Sequence, residues 1–149
     1  MGRFPRIAGL GLILPLIVAA ACRQPPTPAG AADFRAAAAG DDWELRELAG
    51  QPAPTGAGGR RATLRFESDT ARVTGFAGCN RYFGTYTLDG TALRFGPIGM
   101  TRMACAEGMG IEQQLGAALE ATRSYTLTGN DLTLLGTSGP VARFERRPP

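Results

Sequence analysis

The sequence predicts an α+β domain in which a curved antiparallel β-sheet or open β-barrel packs around one amphipathic helix. Three features point there: short segments in which apolar and polar residues alternate, a hairpin pattern that occurs twice, and one stretch of helical periodicity between the two copies.

Ahead of that domain, Arg3 and Arg6 form a positive n-region. Residues 7–21 are an apolar run broken by Gly9, Gly11 and Pro15 and ending in Ala19-Ala20-Ala21. This reads as a signal peptide over residues 1–21, because a permanent span needs roughly 20 apolar residues and tolerates a central proline poorly. Val18-Ala19-Ala20-Ala21-Cys22 resembles a bacterial lipobox, with Ala19 where Leu is more usual. The resemblance implies a lipid anchor, palmitate or a related acyl chain, on Cys22; plain secretion with cleavage after Ala21 is the alternative. One acyl chain, at about 0.8 kcal/mol per buried methylene, holds a membrane only marginally, so several chains make the anchor durable. Arg23 after the cysteine, by resemblance to lipoprotein sorting, implies the periplasmic face of the outer membrane.

All 16 basic residues are arginines, and two leave with the signal, so 14 positive charges face 13 negative ones. That balance argues against a nucleic-acid partner, which wants a clustered basic stripe. Arg60-Arg61 and Arg146-Arg147 are isolated pairs and read as solvated strand ends. Without Cys22, the cysteines left are Cys79 and Cys105, an even pair in an exported chain where disulfides persist. A bridge would contribute about 3.5 kcal/mol by restricting the unfolded chain. Two buried thiols or one reactive thiol are the alternatives.

Residues 22–40 are rich in Pro, Ala and Gly, include Pro25-Pro26-Thr27-Pro28, and offer little apolar surface to offset the entropy of ordering. They read as a disordered tether that holds a domain over residues 41–146 off the bilayer. The domain opens at Asp41-Asp42-Trp43-Glu44-Leu45, where the acidic pair reads as a strand start or a solvated turn. A second strand follows, with Ala62, Leu64 and Phe66 alternating with Thr63, Arg65 and Glu67. Residues 52–59, with three glycines and two prolines, separate the two as a flexible surface loop.

The pattern Y-T-L-x-G-x-x-L-x-apolar occurs at residues 86–95 and again at 125–134. In each copy the glycine marks a tight turn at positive φ, and alternation puts Tyr and Leu of one arm on the face used by the apolar pair of the other. Two equivalent hairpins are expected. Between them, Ile111, Leu115, Ala118 and Leu119 line one face of a helix over residues 107–123. Gly108, Gly110 and Gly116 weaken it by about 1 kcal/mol each relative to alanine, so packing must hold it. A last strand, residues 141–145, completes the domain.

Ahead of and after the first hairpin lie Gly78-Cys79-Asn80-Arg81-Tyr82-Phe83-Gly84-Thr85-Tyr86 and Thr101-Arg102-Met103-Ala104-Cys105. With Trp43 and Leu45, residues 73–75, a helix carrying Glu112 to Leu119 and the closing hairpin, these resemble in order the elements of a META domain, the family of the HslJ-type heat-shock lipoprotein. Met100 stands where the family usually has a second threonine beside Thr101. The resemblance implies a binding or structural module of the envelope, tied to stress and drug tolerance, motility or virulence, with no catalytic residues attached.

The motif residues have a structural reading: Gly78 and Gly84 admit close backbone approach, Asn80 bonds backbone groups, and the cysteines join two loops. They also have a recognition reading, in which the bridge gathers Asn80, Arg81, Thr101 and Arg102 into a polar patch, and Arg102 beside Thr101 grips a carboxylate or phosphate. Enzyme chemistry is disfavoured by inventory. The chain has no histidine, no zinc-type ligand spacing around its cysteines, and no glycine-rich loop that opens a helix. No cofactor or metal is expected. The expected function is a non-catalytic envelope module whose partner is an envelope protein or a small amphiphile held between helix and sheet. The alternative is a periplasmic inhibitor of a lysozyme or protease, for which the small residues of the 52–59 loop supply no anchor.

Overall fold

The computed structural model describes residues 1–2, 31–67 and 69–147. Most of the expected signal peptide, Cys22 and the first part of the expected tether lie outside the described residues. The elements are α1 (Ala31–Ala38), β1 (Asp42–Leu48), β2 (Gln51–Pro52), a 3-10 turn (Ala57–Gly59), β3 (Thr63–Phe66), β4 (Arg72–Phe76), β5 (Arg81–Asp89), β6 (Ala92–Phe95), β7 (Gly99–Met100), α2 (Met109–Ala121), β8 (Ser124–Thr128), β9 (Asp131–Gly136) and β10 (Gly139–Arg146).

Strand pairing runs β10-β9-β8-β6-β5-β4-β3-β1, and β10 then pairs antiparallel with β1, so among the described residues eight strands form a closed barrel. The short β2 and β7 attach to β1 and β5. The sheet is therefore closed, where the sequence pointed to a curved or open one. Closure needs strong curl, and register shifts between Leu45 and Glu47 and between Pro140 and Ala142 supply it at the seam. It also removes the exposed edges along which another chain would pair.

Alternation fills the interior. Trp43, Leu45, Leu64, Phe66, Val73, Tyr82, Tyr86, Leu93, Tyr125, Leu132, Leu134 and Phe144 are buried in one cluster. The two repeated hairpins form as expected: Tyr86 stands opposite Phe95 and Tyr125 opposite Leu134, with turns at Gly90 (φ 56°) and Gly129 (φ 59°).

The barrel interior is filled by side chains, and α2 packs against the barrel through one face. α2 buries only Ile111, Leu115, Ala118 and Leu119, and packs near the end of β1 and the start of β10. At the other ends of those strands sits α1, which the sequence placed in the disordered tether. Phe34 is fully buried there, with its ring 5.0 Å from Phe66 and 4.3 Å from Tyr125, and the Trp43 indole N–H donates to the Ala38 carbonyl at 3.0 Å. One aromatic ring in an otherwise alanine-rich segment is enough to dock it, because the barrel mouth offers two more rings.

Two smaller readings also change. Arg146 is not simply solvated: it lies over Trp43 at 4.7 Å, pairs with Asp41 and donates to the Ala37 carbonyl. Residues 52–59 are tied down, with Ala53 and Gly56 buried and Ala57 N–H donating to Gly78 O at 2.7 Å. Among the described residues no helix is long and apolar enough to cross a membrane.

Candidate functional site

Between β4 and β5 the chain turns through residues 77–80, closed by Ala77 N–H donating to Asn80 O at 2.8 Å. Gly78 takes φ 106° in this turn, a region that costs an L-residue strain. Space demands glycine as well: a Cβ on Gly78 would lie 2.9 Å from Gly108 O, and one on Gly56 or Gly108 would lie 2.1 Å from Gly78 O. Three segments far apart in sequence thus meet backbone to backbone.

On this floor the Cys79–Cys105 disulfide forms, with a Cα–Cα distance of 5.8 Å. Asn80, next to it, is buried and fully engaged. Its Oδ1 accepts from Thr101 Oγ1 at 2.9 Å and from Met103 N–H at 2.8 Å. Its Nδ2 donates to Met103 O at 3.1 Å and to Glu112 Oε1 at 3.3 Å, while its backbone N–H donates to Glu112 Oε2 at 2.9 Å. One amide side chain therefore holds both backbone groups of Met103, and Glu112 binds the corner to the first turn of α2. A charged acceptor for two N–H groups makes the stronger class of hydrogen bond.

Of the four expected patch residues, Asn80 is buried, and Thr101 is exposed with its hydroxyl engaged. The Thr101 hydroxyl donates to Asn80 Oδ1 and accepts from Arg81 N–H at 3.2 Å. Thr101 N–H donates to Arg81 O at 3.0 Å, which lays the 101–105 loop alongside β5. Arg81 and Arg102 are exposed and make no ion pair or side-chain hydrogen bond among the described residues. Met103 beside Arg102 is 60% exposed although its backbone is pinned. Met100, in place of the second threonine, stands opposite Tyr82 in β5 and packs its methyl near Gly116 of α2.

Sequence reasoning missed the role of Glu112. A carboxylate in the first helical turn was the available signal, since a free helix N-terminus attracts one. It also missed Gly56 and a cleft of about 510 Å³ on the outer face of β3–β5, lined by Arg60, Arg65, Arg81, Thr74, Phe76 and Phe83 among others. There the Arg60 guanidinium lies 4.1 Å from the Phe76 ring centroid. A second, shallower groove of about 460 Å³ runs between α2 and the seam, walled by Leu48, Ala117, Ala121, Pro140 and Val141 among others. Beneath the outer cleft, Tyr82 donates its hydroxyl to Thr63 O at 2.9 Å, and burial pushes that hydroxyl far above its ordinary pKa. Among the described residues no three of Cys, Asp and Glu converge to hold a metal ion.

An NMR structure of a protein from Burkholderia xenovorans is similar to this chain, with TM-score 0.65 and 24% identity, covering 98% of this chain and 100% of its own. A further NMR structure is similar at TM-score 0.60 and 21% identity, covering 74% of this chain and 92% of its own. At those identities the likeness is one of fold. No curated protein matches the chain. The family model described as the META domain matches residues 36–148, a span that takes in the barrel, the disulfide corner and α2. With most of its length inside that match, the chain belongs to the META domain family.

Proposed function

We propose that this protein is an envelope lipoprotein, anchored by acyl chains on Cys22 at the periplasmic face of the outer membrane. Its META domain is a non-catalytic binding module that supports the envelope under heat-shock-type stress or drug exposure. The observation that carries this reading is the division of labour at the corner. Asn80, Thr101 and Glu112 spend their polar groups on holding backbone, while Arg81 and Arg102 project outward with none of theirs spent. Such an arrangement suits holding a partner, since it fixes a surface in place and leaves its charges available.

Affinity capture of the lipidated protein from its own envelope under stress tests the reading. An outer-membrane or secretion component is the expected partner, and a dominant hydrolase would overturn it. Cys22→Ala should release the domain from the membrane fraction; unchanged sedimentation would remove the anchor from the proposal.

The inhibitor reading has one observation in its favour. The 101–105 loop is braced by Asn80 and the disulfide and carries two exposed side chains, Arg102 and Met103, that would serve as anchors in a hydrolase cleft. Stoichiometric inhibition of a purified lysozyme or protease, lost in Arg102→Ala, would establish it.

A further inference from the structure

The outer face of β3–β5 is an unusual surface for a small barrel. In register, Phe76 of β4 stands opposite Arg81 of β5, and Thr74 opposite Phe83, so rings, a guanidinium and a hydroxyl alternate as in a checkerboard. Phe83 is 58% exposed, on a strand whose other outward positions include Arg81, Thr85 and Thr87. Arg60, stacked on Phe76, has no acidic partner among the described residues, and neither has Arg81; Arg65 is shared with Asp42 at 3.1 Å and Glu67 at 3.7 Å. The cleft these side chains line, about 510 Å³, lies within the range of small-ligand sites.

We propose that this cleft binds an acidic glycan, a short chain of sugar rings bearing carboxylate or phosphate groups. Three kinds of contact are on offer, and this ligand uses all three. The guanidinium of Arg81, and that of Arg60 held in place by Phe76, take acid groups through paired N–H donors. The open face of Phe83 takes the apolar face of a sugar ring. The Thr74 hydroxyl, which makes no hydrogen bond among the described residues, takes a ring hydroxyl. A single-stranded nucleic acid also brings rings and charge, but it tracks a long basic groove, and this surface is a short cleft. The inference rests on the recognition reading of the β4–β5 corner and names what that surface recognises.

The test is an NMR titration of the full-length protein, kept free of lipid by Cys22→Ala, with tetragalacturonate and mannose 6-phosphate as acidic probes, maltotetraose as the neutral one and hexathymidylate as the nucleic-acid one. Saturable shifts confined to β3–β5 are expected with an acidic sugar probe, at an affinity at least tenfold above that for maltotetraose. Arg81→Ala and Phe83→Ala should each weaken binding at least tenfold with no change in Tm, and Arg81→Lys should restore part of it. No saturable binding of either acidic sugar, equal binding by the Phe83→Ala variant, or tighter binding of hexathymidylate would overturn the proposal. Envelope capture of a partner by the Arg81→Ala and Phe83→Ala variants as efficient as by the unaltered protein would remove this site while leaving the binding-module reading intact.

Discussion

Asn80 and Arg81 are consecutive in sequence and live under opposite physical regimes. Asn80 points into the corner, where every polar atom of its side chain has a partner and where an unpaired group would carry its full desolvation cost. Arg81 points out over the β3–β5 cleft, where water satisfies it and nothing in the described protein claims it. Asn80 closes the 77–80 turn, which aims its side chain at the 101–105 loop, and Arg81 opens β5, where it takes an outward position. The difference separates stability from recognition within one motif: substitutions on the inner side should destabilise the domain, and those on the outer side should leave its stability unchanged with altered binding.

The largest expected effect is on the inner side. Cys105→Ser opens a loop spanning a sequence separation of 26, which should cost about 3.5 kcal/mol in the chain-entropy account. Urea unfolding of the oxidised protein against the variant measures this. A cost below about 1 kcal/mol would mean that Asn80 and Glu112 hold the corner without the bridge.

Next comes Asn80→Ala. It leaves the Met103 N–H and the Thr101 hydroxyl without their acceptor and the Met103 carbonyl without its donor, at about 2–3 kcal/mol in all. Hydrogen exchange of the Met103 amide reports it locally: fast exchange in the variant, slow in the parent. Slow exchange in both would show that the 101–105 loop is braced by other groups.

A smaller inner effect separates by pH. Tyr82 is buried with its hydroxyl on Thr63 O, and burial raises its folded-state pKa above the ordinary value near 10. The folded state thus holds the proton more tightly than the unfolded one. The stability this confers is fully present below pH 10 and declines as pH rises beyond it. Tyr82→Phe should cost about 1 kcal/mol at pH 7 through the lost hydrogen bond and should flatten the alkaline decline. Parallel declines for parent and variant above pH 10 would place the alkaline sensitivity elsewhere.

How much of this was legible in the sequence follows from how local each signal is. The two hairpins carry their own instructions, a glycine at the turn and apolar residues at alternate positions, and both form in the expected register. α2 likewise shows its buried face at helical spacing. Closure of the barrel was not legible, because β1 and β10 lie about a hundred residues apart and each alternates as well in an open sheet as in a closed one. Nor was α1: Phe34 acquires its meaning only from Phe66 and Tyr125, which chain folding brings to the same mouth. At the site, residue types point to a bridge between Cys79 and Cys105, which the structure contains. Sequence does not tell which polar atoms are spent on neighbours: the Thr101 hydroxyl, expected beside Arg102 in the patch, bonds Asn80 Oδ1 and the Arg81 N–H.

The smallest expected effect on stability is on the outer side. Arg81→Ala removes a side chain that is exposed and makes no ion pair or hydrogen bond among the described residues, so the change in unfolding free energy should stay within about 0.5 kcal/mol. Its backbone is a separate matter: Arg81 N–H and C=O both bond to Thr101, and alanine keeps both bonds. The same holds for Arg102→Ala, since the loop is fixed through its neighbours Thr101 and Met103 and not through Arg102. Thermal unfolding of the two variants and their double checks the claim, and a coupling energy near zero is the expected outcome. A loss of 1 kcal/mol or more in either would mean that the outward arginines help hold the corner together, and the separation of an inner structural side from an outer recognition side would fail where it is drawn most sharply.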